Sequence, residues 1–102
     1  GIVCLADAVC VSIDFRNGTH FAFTLGGNRT LKAPPTQPLG QTGLIYVIND
    51  GTANRTISYN TIYKWSGGTT ATHTSAASAV DLLGYMVRTS TAIDLAMLAD
   101  MK

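Results

Sequence analysis

The groups able to do chemistry in this sequence are few: six aspartates and no glutamate, two histidines, two cysteines, and a cluster of aromatic residues near position 60. Acid–base cleavage of a glycosidic bond needs two carboxylates held about 5–9.5 Å apart in a cleft. Asp7, Asp14, Asp50, Asp81, Asp94 and Asp100 are instead scattered singly along the chain. Asp14 sits in a strand-like setting and Asp50 in a turn, while Asp81 is read as fixing a loop by accepting backbone N–H bonds. A serine nucleophile of the G-x-S-x-G type is missing, and neither His20 nor His73 stands in a triad setting. The two histidines also lack the i, i+4 or short-loop spacing of metal ligands. Cys4 and Cys10 match neither a C-x-x-C site nor a disulfide framework and read as small apolar residues. Gly67-Gly68 lacks the Lys-Ser/Thr of a phosphate loop and reads as a bend. The expectation is a protein without catalytic residues, metal or other cofactor.

Binding chemistry is better represented. Tyr59, Tyr63 and Trp65 fall on one face of neighbouring strand segments at a two-residue period. Aromatic faces stack on sugar rings and their polar tips reach hydroxyls, so these three are the candidate glycan-binding residues. The competing reading is that Tyr63 and Trp65 fill the core or a subunit interface, the commoner work of such side chains. Lys64 and Arg55 are expected to lay their stems over apolar rim.

Composition narrows the classes. A chain of 102 residues, 46% hydrophobic, fits one domain with a real core and is not a disordered segment. Seven Lys/Arg and six Asp, spread singly for a net charge of +1, form no basic stripe, so nucleic-acid binding is not expected. No apolar run approaches the ~20 residues of a helical membrane span, and no basic start with a long apolar stretch marks a signal peptide. Charged residues make up 13% of the chain, about half the ~25% usual in soluble domains. Thr, Ser and Asn fill a quarter of the positions and must do much of the solvating. A surface so poor in charge suggests that partner subunits cover part of it, against the plainer alternative of a hydroxyl-rich β monomer.

The elements that must position these residues read as strands. Val9, Val11, Ile13 and Phe15 alternate with polar neighbours, and Phe21, Phe23 and Leu25 do so again after Asn17-Gly18. A three-residue loop ending in a left-handed Gly18 would pair Ile13 with Phe21 and Val11 with Phe23, keeping one apolar face. Arg29–Ala33 is a short strand, and the proline-rich stretch 33–40 is a loop crossing outside any sheet. Leu44–Ile48 reads as a central strand covered on both faces, with short strands near residues 56–59 and 62–65. The triplets at Asn17, Asn28 and Asn54 match glycosylation acceptors but read as turn chemistry. Strands at this spacing point to a sandwich or barrel. Residues 92–100 stay open: local propensity and a Thr91–Asp94 capping pattern favour helix, while hairpin context favours strand.

From Gly40 onward the chain carries Gly40-Gln41-Thr42-Gly43, Asp50-Gly51-Thr52, Arg55-Thr56, Lys64-Trp65, Gly67-Gly68-Thr69 and Ala79-Val80-Asp81. In that order and spacing these resemble a β-rich module widespread in tailed-phage virion proteins, at the C-terminal end of tail fibres, spikes and head-decoration proteins. Ile13-Asp14-Phe15, Thr24-Leu25 and Gly27-Asn28-Arg29-Thr30-Leu31 extend the match to roughly residues 13–100. Two positions depart from it. Ala71 stands where the module tends to have Pro, and Ser78 where it tends to have Gly, which loosens the loop between them.

The resemblance implies strands for Val80–Val87 and Ala92–Leu98. It implies an all-β, antiparallel, jelly-roll-like β-sandwich over residues 9–102, with residues 1–8 as a connecting segment. It also implies a virion location and a homotrimer attached to other virion proteins, with host surface glycan as a further partner.

Overall fold

The alternating segments do form strands, but the chain winds between them differently from a hairpin stack. A computed structural model describes residues 2–101. Its strands are β1 (Ile2–Cys4), β2 (Cys10–Val11), β3 (His20–Leu25), β4 (Arg29–Leu31), β5 (Thr42–Asn49), β6 (Ile57–Tyr59), β7 (Tyr63–Trp65), β8 (Val80–Thr89) and β9 (Ala92–Leu98). Short 3₁₀ turns at Phe15–Asn17 and Ser66–Gly68 are the helical elements among the described residues, so the fold is all-β. A six-stranded sheet runs β1-β3-β5-β8-β9-β7 and a three-stranded sheet β2-β4-β6.

The first six strands alternate between the two sheets. Within each sheet successive visits lie parallel: β1 on β3 on β5, and β2 on β4 on β6. Residues 2–59 thus make three turns of a flattened coil. β7 then joins the far edge of the larger sheet, parallel to β9. The β8–β9 hairpin fills the gap, antiparallel within itself and against β5.

One apolar cluster lies between the sheets. Phe21, Phe23 and Leu25 of β3, Ile45 and Val47 of β5, and Leu83 and Val87 of β8 meet Val11 of β2 and Leu31 of β4 there. Burial of each such side chain contributes about 1.5–3 kcal/mol. Phe15 packs edge-on against Phe21 at 5.5 Å and against Tyr85 at 4.7 Å between ring centroids. Gly43 is required where β5 passes this corner, because a Cβ there would overlap the Thr19 carbonyl.

Several expectations are corrected. The hairpin pairing Ile13 with Phe21 does not form: Cys10–Val11 lies parallel to β4, and β3 pairs with β1 and β5. Asp14 caps a 3₁₀ turn by accepting from Arg16 N, and Gly18 at φ 164° is extended rather than left-handed. That turn carries the chain from one sheet to the other. The larger sheet is mixed and the smaller one all parallel, with five parallel pairings between them, so the antiparallel arrangement is overturned. Residues 2–4 are an integral edge strand rather than part of a connecting segment. β5 is central as expected, yet its second face, with Leu44, Tyr46 and Ile48, stays half-exposed. Residues 92–98 are strand, paired back onto Leu82–Thr89, and the proline-rich loop does cross from the smaller sheet to the larger.

Candidate functional site

The tight turn after β6 brings the three candidate aromatics together. Asn60 Oδ1 accepts from Ile62 N and the Asn60 carbonyl accepts from Tyr63 N, so the chain reverses within three residues. Tyr59 meets Trp65 at 5.0 Å between centroids with ring planes 73° apart, and Tyr63 at 6.3 Å and 68°. These are edge-to-face contacts of the kind aromatic quadrupoles favour. Tyr63 is buried, and its hydroxyl donates to the Lys32 carbonyl at 3.1 Å. Tyr59 and Trp65 are half-buried and pack against the main core. Burial pushes both tyrosine hydroxyls well above their ordinary range, and the Asp81 charge adds to the effect at Tyr59.

The cluster is therefore first a joint between the two sheets. Tyr59 Oη and Trp65 Nε1 are enclosed there without a hydrogen-bond partner. On its open side a groove of about 380 Å³ runs past Trp65, with Asn60, Thr61, Lys64 and Thr70 supplying polar groups.

A second polar cluster, which sequence reading found only in part, lies beneath the loop between β7 and β8. Asp81 is fully buried on the inner face of β8. Its Oδ2 accepts from Thr74 N, and its Oδ1 accepts from Thr74 Oγ1 and Asp100 N, each at 2.7 Å. The expected loop-fixing role for Asp81 matches this geometry. Burial alone would raise this carboxyl, but the Asp100 N–H, both Thr74 donors and His73 outweigh it and hold it below the usual carboxylate range.

His73 and Asn49 complete the cluster. Asn49 Nδ2 donates to the Thr74 and Ala76 carbonyls at 2.8 Å, which fixes Oδ1 as the atom facing the His73 ring. His73 Nε2 lies 2.6 Å from that oxygen, and Nδ1 lies 2.6 Å from Asp81 Oδ2 in a bent contact. Nε2 is thus turned to an amide oxygen inside the cluster. No spacing rule flags this trio, because Asn49 ends an otherwise apolar strand.

The largest unassigned feature is the outer face of the six-stranded sheet. Side chains paired in register share a face. One outward row therefore reads Ile2, His20, Leu44, Gly84, Ala96, and the next Cys4, Ala22, Tyr46, Leu82, Leu98. Thr24, Ile48 and Val80 form a third row, and Thr42, Met86 and Asp94 a fourth. Ile2, Met86 and Leu98 are 54%, 42% and 61% exposed, and the large apolar residues between them are half-exposed. Charge is confined to one margin, where Arg88 pairs with Asp94 at 2.8 Å beside Lys64. Among the described residues no three His, Cys, Asp or Glu side chains converge as a metal site.

No protein-family model, curated protein sequence or solved structure matches the chain.

Proposed function

We propose that the chain is a non-enzymatic structural module of a tailed-phage virion, on a tail fibre, spike or capsid surface. It is a two-layer β-sandwich, one sheet mixed and one parallel, that associates with copies of itself, as a trimer, and with other virion proteins. The observation that carries this reading is the uncovered apolar outer face of the six-stranded sheet. A broad, mainly apolar area of this kind, broken by His20 and Thr24, on a chain with so few charges marks an interaction surface. The sequence phrases shared with phage virion modules supply the setting and the threefold state.

Sedimentation velocity over a wide concentration range tests the reading. A species of about three times the 10.8 kDa chain mass supports it, and a monomer at every concentration up to hundreds of micromolar refutes it. A second reading, recognition of host surface glycan, is favoured by the groove beside half-buried Trp65 with its amide and hydroxyl lining. Trp65 is the sole tryptophan, so its fluorescence reports directly on that groove. Emission unchanged by host polysaccharide, and unquenched by iodide, removes this second reading.

A further inference from the structure

Gly84 has no explanation within the chain. It lies in the middle of β8, the longest strand, and a Cβ built there meets nothing within 4 Å. Gly43 on the neighbouring strand is different, since the Thr19 carbonyl excludes any side chain there. Glycine weakens a strand interior, and one placed there commonly marks the close approach of another backbone or ligand. Gly84 faces outward beside Ala96, so the two make a hollow in the apolar face. Leu44 and the Tyr46–Leu82 pair stand beside it as a ridge.

We infer that this hollow is the socket of a homotypic interface, receiving the apolar ridge of a second copy of the same face. The inference rests on the self-association reading above and names the contact that produces it. Three features select a second copy as the occupant. Ridge and hollow lie side by side on one surface, so the ridge of each copy can enter the hollow of the next, a head-to-tail contact able to close as a ring of three. The rows span five strands, about 24 by 20 Å or roughly 500 Å² when flattened, from the usual spacings. Covered on two copies this is about 1,000 Å², the lower bound of a specific interface. The face also carries both signs of charge at one margin and almost none elsewhere, so like faces do not repel, while a strongly charged partner finds nothing to pair with.

The test is sedimentation velocity of the full chain as wild type, Gly84→Val and Leu82→Thr. Gly84→Val fills the socket at a position open within one chain, so far-UV circular dichroism and the melting temperature of the monomer should hold or improve. Its self-association should weaken at least tenfold. Leu82→Thr lowers the ridge while placing a β-branched residue suited to a strand, and should also weaken association. Gly84→Val assembling as tightly as wild type overturns the socket while leaving self-association intact. A wild type that stays monomeric, or that assembles only with an added virion protein, overturns the homotypic interface itself.

Discussion

Replacing Asp81 should unfasten the loop between β7 and β8 and weaken the whole molecule. The carboxylate accepts three hydrogen bonds at 2.7 Å and faces His73, all at a site with no exposed surface. Asp81→Ala strands the Thr74 and Asp100 N–H groups and removes the partner of a buried ring. Each abandoned buried donor costs about 1–3 kcal/mol, and three donors lose their acceptor. These overlap, so the expected loss is about 3–5 kcal/mol, a large share of the ~5–15 kcal/mol that holds a domain folded. Asp81→Asn keeps the shape and one acceptor but turns an amide donor toward Thr74 N or His73, and should lose about 2 kcal/mol. Urea unfolding followed by Trp65 fluorescence and circular dichroism, at one fixed protein concentration, measures both.

The pH dependence gives an independent check. Because the folded carboxyl titrates below its unfolded range, its contribution is complete near neutrality and fades as pH falls below about 5 through the folded value. The stability gap between wild type and Asp81→Asn should therefore shrink on acidification. A gap under ~0.5 kcal/mol at pH 7, or one that widens as pH falls, refutes the assignment of Asp81 as the loop anchor.

Other perturbations have definite signs. Leu83→Ala, at a fully buried position between the sheets, should cost about 2–5 kcal/mol and lower the thermal midpoint by calorimetry. Ser78 holds φ at 60°, in the left-handed region that side chains resist, and its N–H donates to the Asp50 carbonyl. Ser78→Gly should relieve that strain and stabilise by about 0.5–1 kcal/mol in the same urea assay. A destabilised Ser78→Gly would mean that the hydroxyl does more than tolerate the turn.

Part of the strand content was legible, because period-two alternation marks 20–25 as a half-buried strand and the short apolar run 44–48 marks a central one. Partner choice was not. Alternation sets which side chains share a face and is silent on whether the next strand runs up or down. Asn17-Gly18 looked like a hairpin turn, yet Asp14 and Arg16 close a 3₁₀ turn there that sends the chain across to the other sheet. The aromatic cluster was found, since Tyr59, Tyr63 and Trp65 do meet, but its burial depends on the turn at Asn60, which composition does not reveal. Asp81 was read correctly as a loop anchor, whereas His73 and Asn49 come to it only through tertiary packing.

The coiled path explains why the outer face is apolar and why the charges sit where they do. Parallel turns stack like positions above one another, so the outward rows Ile2–His20–Leu44 and Cys4–Ala22–Tyr46 run straight across the coil. At the corners leading to the smaller sheet the same stacking sets Asp7 against Arg29 at 2.7 Å and Asp50 against Arg55 at 3.1 Å. Asn28 Oδ1 meanwhile accepts from Thr56 N of the next turn. Four of the few charged groups are thus spent at the edge of the coil, where Asp7–Arg29 ties one turn to the next and Asp50–Arg55 closes a single corner. Little charge is left to solvate the broad face, which is the surface that the proposed self-association would cover.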